Sequence, residues 1–144
     1  MVHAGGSLMS EARLWSYLRD GVGGLWEAER IENRLNSGVP DVAYSTDHHG
    51  WIELKYLPKA PKRSDTALKI DHYTAEQKNW LTKHGKRGGH CFLFLQVGGT
   101  YMLFGSEAAR DIGTVTLDAH KKMALAVWEG QVCFTEFVRL LSRG

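Results

Sequence analysis

The 144-residue sequence has little of what marks several classes of protein. It contains only three prolines and two cysteines. Few prolines and a full set of aliphatic and aromatic residues exclude collagen-like, low-complexity and disordered chains. The two cysteines are far apart and in no CxxC spacing, so they do not fit a disulfide framework or a zinc site. We expect Cys91 and Cys133 to be reduced core residues of a cytoplasmic protein.

Long apolar segments are also absent. No stretch approaches about 18 uninterrupted apolar residues, so no membrane span is predicted. The first residues lack the basic and apolar segments of a secretory signal. We therefore expect a cytoplasmic protein, in the cytoplasm of the host if the gene is carried by a phage. The length predicts a single domain over residues 1–144 that can bury a core of its own.

The net charge of +2 conceals an uneven distribution along the chain. Residues 1–54 carry a net charge of −4, residues 55–90 carry +6, and residues 91–144 are neutral. Runs of charge are usually solvated faces. An acidic segment followed by a basic one is also what a metal site next to a nucleic-acid surface requires.

Hydrophobic periodicity predicts the element order α-β-β-β-α-β and then a C-terminal strand and helix extension. The predicted elements are a helix over 7–20, strands over 25–33, 39–45 and 51–56, a loop or lid over 57–72, a helix from the Thr74–Gln77 capping box to about 84, and a strand over 91–97. The extension is predicted to hold a strand over 101–104, a short helix near 106–111, a strand near 123–128 and a closing amphipathic helix. The fold class is therefore α/β, a mixed central sheet flanked by helices, with its core at about 8–97 and the extension at 98–144.

Two carboxylates are predicted to meet across a strand pair. A hairpin with its turn centred on Asp47 places Asp41 opposite Glu53. Carboxylates directly across a strand pair repel each other, and a divalent cation is the simplest reason to keep them there. Lys55 lies on the same face of the strand as Glu53 and can neutralise charge on a phosphate oxygen or orient a water molecule. These residue types together indicate metal-assisted phosphodiester hydrolysis.

Pro40-Asp41, eleven intervening residues and then Glu53-Leu54-Lys55 resemble the signature of the PD-(D/E)xK nuclease superfamily. Within it, the small size and the GVPDV, GWIELK and TAEQ segments are most similar to phage VRR-NUC-type nucleases and archaeal-type Holliday junction resolvases. The resemblance spans roughly residues 8–97. It implies a restriction-endonuclease-like core and DNA cleavage that depends on Mg²⁺, with Mn²⁺ able to substitute. It also implies that Asp41 and Glu53 are metal ligands and that Lys55 is the catalytic lysine.

Related families usually add a carboxylate from the first helix, and Glu11 is the candidate here. The alternative for Glu11 is that it only complements the positive N-terminal end of the helix dipole. Glu32 competes for the same role, although it could equally form a surface ion pair with a nearby arginine. Gln77 completes the capping box, and its matching position in the resembled families implies a place by the catalytic centre; the two roles are compatible.

The basic middle segment predicts a DNA-binding rim around the carboxylates. Its candidate residues are Lys59, Lys62, Arg63, Lys69, Lys78, Lys83, Lys86 and Arg87. Trp51 shares the face of Glu53, and its side chain could line the site. His48 and His49 are adjacent in a polar turn, so their side chains diverge and no HNH-type nuclease site is indicated.

The sequence therefore predicts a Mg²⁺-dependent DNA endonuclease that is selective for branched DNA, as a Holliday junction resolvase is. One alternative is a nuclease that nicks or trims DNA with little structure preference, and another is a DNA-binding module that cleaves nothing. Two symmetric cuts across a junction would need a homodimer, which could pair through an exposed edge at strand 101–104 or through the C-terminal helix.

Overall fold

The computed structural model describes residues 6–31 and 38–143, with side chains described for 11–31 and 38–142. The helices are α1 (Gly6–Val22), α2 (Ala75–Lys86), α3 (Leu117–Met123) and α4 (Phe134–Arg143). The strands are β1 (Glu27–Arg30), β2 (Val42–Ser45), β3 (His49–Leu57), β4 (His90–Val97), β5 (Thr100–Gly105) and β6 (Ala126–Glu129). Short 3₁₀ turns lie at Gly23–Leu25 and Ser106–Ala108. The element order α-β-β-β-α-β with a strand and helix extension is confirmed.

The six strands form one mixed sheet in the order β1-β2-β3-β4-β5-β6. Neighbouring strands are antiparallel except β3 and β4, which are parallel. A parallel pair needs a crossover connection, and here the long loop after β3 followed by α2 supplies it. The crossover carries α2 back across the sheet from the end of β3, which brings the loop and the start of α2 to the strand that holds Glu53 and Lys55.

Alternation along the strands separates two apolar clusters, one on each face of the sheet. The first cluster includes Ile52, Leu54 and Phe94 from the strands, Leu18 from α1 and Phe137 from α4. The second cluster lies on the other face and includes the strand residues Leu93 and Leu95, Leu81 from α2, Leu68 from the long loop and Ile112 from the segment before α3. The sheet is therefore covered on both faces, as expected for the nearly continuous apolar run of β4.

Several predicted elements have different bounds. β1 covers Glu27–Arg30, because the first residue of the predicted strand, Leu25, belongs to a 3₁₀ turn; the predicted end at 32–33 lies outside the described residues. The prediction omitted α3, a seven-residue helix that Thr116 caps by accepting a hydrogen bond from the Ala119 amide. The predicted helix near 106–111 is a 3₁₀ turn of three residues.

Two predictions about particular residues are wrong. β5 pairs with both β4 and β6, so it is an interior strand and offers no exposed edge to a second subunit. Cys133 is exposed, because it lies just before α4 rather than inside the apolar stripe of that helix; Cys91 is buried as predicted. No helix in the described ranges is long and apolar enough to cross a membrane.

Candidate active site

The β2–β3 hairpin brings Asp41 next to Glu53. Val42 pairs with Ile52, and Ser45 with His49, so the register continues to Asp41 opposite Glu53, as the sequence predicted. The carboxylate of Asp41 accepts a hydrogen bond from the backbone amide of Leu54, with Oδ2 2.9 Å from the nitrogen. This bond fixes the Asp41 side chain against β3, on the face that Glu53 shares.

Glu53 and Lys55 are almost completely buried, with exposed fractions of 1% and 2%. Lys55 Nζ lies 3.3 Å from Glu53 Oε2, and the same oxygen accepts a hydrogen bond of 3.1 Å from Gln77 Nε2. Charged side chains are rarely buried to this degree unless they are paired. The two groups therefore stabilise each other, and Gln77 adds a third contact from α2.

The capping box of α2 sets the orientation of Gln77. Thr74 Oγ1 accepts from the Gln77 amide at 3.2 Å, and Gln77 Oε1 accepts from the Thr74 amide at 3.0 Å. With its oxygen used by the cap, the amide nitrogen of Gln77 is free to donate to Glu53. Gln77 thus has both of the positions that the sequence suggested, as a helix cap and as a neighbour of the carboxylates.

His72 and Tyr73 provide two further contacts to the ammonium group of Lys55. Lys55 Nζ donates to the His72 carbonyl at 2.8 Å and lies 5.7 Å from the centre of the Tyr73 ring. The Tyr73 hydroxyl donates to the Ala109 carbonyl at 2.6 Å, which anchors the ring. Burial, and then the nearby charge of Glu53, raises the pKa of Tyr73, so its hydroxyl remains a donor. The ammonium group is therefore held between a carboxylate, a carbonyl and an aromatic face.

His72 has a backbone conformation that side chains rarely adopt. Its φ is +65°, and no other non-glycine residue in the described ranges has a positive φ. Such a conformation carries strain and persists only when surrounding contacts enforce it. Sequence reasoning missed this role of His72, since a histidine in a loop gives no signal of its φ.

The electrostatics of Glu53 are unusual. Burial raises its pKa well above the ordinary value, the neighbouring Asp41 raises it further, and Lys55 opposes both. Glu53 Oε1 is buried and has no hydrogen-bond partner. A buried acceptor without a partner costs roughly 1–3 kcal/mol, and two adjacent carboxylates repel each other. A divalent cation between Asp41 and Glu53 would remove both penalties.

The residues present fit a hard divalent cation bound by few protein ligands. Carboxylate oxygens are the ligands that Mg²⁺ prefers, and Mg²⁺ is usually bound through one or two carboxylates with several waters retained. Within residues 6–31 and 38–143, no group of three or more His, Cys, Asp or Glu side chains is arranged to hold a metal. The pair Asp41 and Glu53 could therefore supply two ligands to such an ion, with waters completing its coordination.

Glu11 lies close enough to this pair to interact with it electrostatically. Its side chain is half-buried on α1, and burial raises its pKa. The positive charge of Lys55 lowers that pKa and the negative charge of Asp41 raises it, so Glu11 is within electrostatic range of the site. Glu32, the competing candidate, lies outside the described residues.

No protein-family model and no curated protein matches the chain. Among solved structures, it is similar to a Holliday junction resolvase, Hjc, from the archaeal hyperthermophile Archaeoglobus fulgidus. The two are 17% identical, the match covers 69% of this chain and 77% of the other, and the TM-score is 0.46.

The predicted DNA-binding side chains are distributed along the loop after β3 and along α2. All are exposed except Lys78, which is half-buried with its Nζ 5.1 Å from the centre of the Tyr73 ring. Arg63 is paired with Asp65 at 3.0 Å, so part of its charge is neutralised. The exposed set is Lys59, Lys62, Arg63, Lys69, Lys83, Lys86 and Arg87. Exposed basic side chains therefore lie on the loop that follows the strand of Lys55 and on the helix that carries Gln77.

Proposed function

We propose that this chain is a metal-dependent DNA endonuclease that hydrolyses phosphodiester bonds. The observation that carries the proposal is the buried Glu53–Lys55 ion pair beside Asp41, with one Glu53 oxygen left unpartnered. A core that served only stability would be expected to hold apolar groups there, since replacing a buried ion pair by apolar residues is often neutral or stabilising. A catalytic role explains why the charges are kept.

Asp41 and Glu53 would hold Mg²⁺, which Mn²⁺ could replace, and Glu11, which interacts electrostatically with Asp41 and Lys55, is the candidate for a third ligand. When bound, such an ion polarises the scissile phosphate and lowers the pKa of a water molecule. The Leu54 amide and Gln77 would keep the two carboxylates in a fixed orientation. Fixed ligands reduce the reorganisation needed at the moment of reaction.

Lys55 would act on the phosphate. Its ammonium group is held by Glu53 and the His72 carbonyl, so its position is set before DNA arrives. A positioned cation stabilises negative charge that develops on a phosphate oxygen during attack. The exposed lysines and arginines would supply sequence-independent affinity for the backbone of the DNA. The proposal also includes two predictions, that the enzyme prefers branched DNA and that it acts as a homodimer.

The test compares cleavage of a labelled four-way junction, a flap, a single strand and a linear duplex in Mg²⁺, Mn²⁺ and EDTA. We expect Mg²⁺ and Mn²⁺ to support cleavage and EDTA to abolish it. Asp41→Asn should lower the cleavage rate by at least about a hundredfold and leave DNA binding intact, because one ligand charge is lost while the oxygen that accepts from Leu54 remains. Lys55→Ala should also abolish cleavage.

Asp47→Asn is the matched control, since Asp47 is an exposed carboxylate in the turn of the same hairpin. It should cleave like the parent chain. Cleavage by Asp41→Asn at the parent rate would overturn the site assignment. A parent chain that binds the junction but cuts no substrate in either metal would instead identify a DNA-binding module.

A further inference from the structure

A ladder of three aromatic rings leads away from the candidate active site along α2. Trp51 follows the alternation of β3 and lies on the face of Glu53. Its ring meets Trp80 edge-on, with centres 5.5 Å apart and planes at 68°. Trp80 in turn stacks on His84, with centres 3.5 Å apart and planes within 12°. The ladder therefore begins beside the carboxylates and ends at the surface.

His84 is an exposed ring that is fixed in place. Its Nδ1 lies 2.9 Å from the Trp80 carbonyl, and one ring face is covered by Trp80. The residue as a whole remains exposed. A flat ring with one free face and a set orientation loses little conformational entropy when another flat group stacks on it.

The surroundings of His84 are strongly basic. It lines one shallow depression together with Lys83, Lys86 and Arg87. Basic residues in the last turn of a helix also complement the helix dipole, which is a sufficient reason for the charges alone. It does not explain an exposed aromatic ring fixed among them. A ring surrounded by cations is the combination that binds one nucleotide, with the base on the ring and the phosphates on the cations.

The distance from the site fits a continuous DNA strand. Gln77 contacts Glu53, and His84 is seven residues further along the helix. At 1.5 Å per residue these positions are separated by about 10 Å. One phosphate per strand follows each ~3.4 Å of the axis of duplex DNA, and an unpaired strand can be more extended, so His84 lies within a few nucleotides of a phosphate held at the carboxylates.

We infer that His84 is a stacking platform for an unpaired base of the DNA strand, a few nucleotides from the bond that is cut. Lys83, Lys86 and Arg87 contact the phosphates of the same segment. The bases of an intact duplex face inward and cannot stack on a protein ring. The substrate class that this surface selects is DNA with an unpaired strand next to the cleavage point, such as a fork or flap. The inference rests on the proposed function, because it places the cut at Asp41 and Glu53.

Binding is measured in an Asp41→Asn background, which prevents cleavage, by fluorescence anisotropy with three labelled probes: a thymidine oligonucleotide, a forked duplex and a fully paired duplex. His84→Ala should weaken binding of the first two probes about tenfold and leave the paired duplex unchanged. His84→Phe should restore the affinity, because it keeps the ring. His84→Lys should not, although it adds a positive charge. In the parent chain, His84→Ala should lower cleavage of the fork more than cleavage of the duplex.

His48→Ala is the matched control. His48 is also an exposed histidine in a parallel stack, with its ring centre 4.4 Å from that of His90, but it lies in the β2–β3 turn. It should bind all three probes like the parent. Rescue by lysine and not by phenylalanine would overturn the stacking role, as would equal losses on the forked and paired probes. Normal metal-dependent cleavage with no effect of His84→Ala would reject this inference and leave the proposed function standing. Unaltered cleavage by Asp41→Asn with a ring-dependent effect at His84 would reject the proposed catalytic site, and with it the position of His84 relative to the cut, while leaving the stacking of a base on His84.

Discussion

Successive residues of β3 point to opposite faces of the sheet, and the side chains on the two faces have different roles. Ile52 and Leu54 are fully buried against α1 and α4, in a cluster rich in aromatic rings. Glu53 and Lys55 are buried just as deeply on the other face, yet they are charged and depend on partners from the long loop and α2. The apolar face stabilises the fold by excluding water, whereas the polar face is kept in spite of the desolvation of its charges. We expect substitutions to separate the two roles.

The largest effect on activity should come from the double substitution Glu53→Met with Lys55→Met. Removing both charges should abolish cleavage, because the proposed metal ligand and the proposed phosphate-stabilising cation are lost together. The free energy of unfolding should stay the same or rise by about 1–4 kcal/mol, since a buried ion pair is replaced by apolar groups. Cleavage assays and urea denaturation measure the two outcomes. A large loss of stability would mean that the polar face holds the fold together.

Leu54→Ala makes the opposite change on the other face. It should lower the free energy of unfolding by about 2–5 kcal/mol, because Leu54 is fully buried in the first cluster. The cleavage rate per folded molecule should not change, since the side chain points away from Glu53 and Lys55. Chemical denaturation gives the stability, and cleavage is normalised to the folded fraction. A loss of kcat in fully folded protein would contradict the separation of the faces.

The strain at His72 tests how the polar face is positioned. His72→Gly should keep kcat, because glycine adopts a positive φ freely and keeps the carbonyl that binds Lys55. His72→Val should lower kcat roughly 10- to 100-fold with little change in KM, since a β-branched residue resists this φ and displaces the carbonyl. The readouts are single-turnover kinetics and thermal unfolding.

Gly130→Val is the control for strain alone. Gly130 has a φ of +82° and open space around its Cα, in the turn between β6 and α4. Gly130→Val should lower the free energy of unfolding by about as much as His72→Val does, and its kcat should equal that of the parent chain. If the two variants lowered kcat equally, His72 would have no specific effect on Lys55.

The smallest effect should come from the capping box. Thr74→Ala should lower the free energy of unfolding by about 1 kcal/mol. It should also reduce cleavage, by less than His72→Val does, because Gln77 loses one of the bonds that orient it toward Glu53. Thr116→Ala removes the equivalent cap of α3 and serves as the control. Thr116→Ala should lower the free energy of unfolding by a similar amount and leave cleavage unchanged. If both variants reduced cleavage equally, the orientation of Gln77 would have no specific role in cleavage.

Much of the fold follows from local patterns. The alternation of β3, the capping box of α2 and the apolar run of β4 predicted those elements to within a few residues. The short helix α3 was missed because its seven residues carry only a brief apolar pattern. Its position depends on a contact with the preceding turn, where His120 Nε2 accepts from the Gly113 amide, seven residues earlier. The interior position of β5 depends on β6, whose residues are remote from it in sequence.

The sequence by itself determined that Asp41 and Glu53 meet, because the side-chain alternation of a strand and the length of a hairpin turn are local properties. It also determined that Lys55 shares their face. Only the tertiary structure decided that Lys55 is held by the His72 carbonyl, that Gln77 reaches Glu53, and that one Glu53 oxygen remains without a partner. Those contacts join residues 17 and 24 positions apart across a crossover whose path no local pattern specifies.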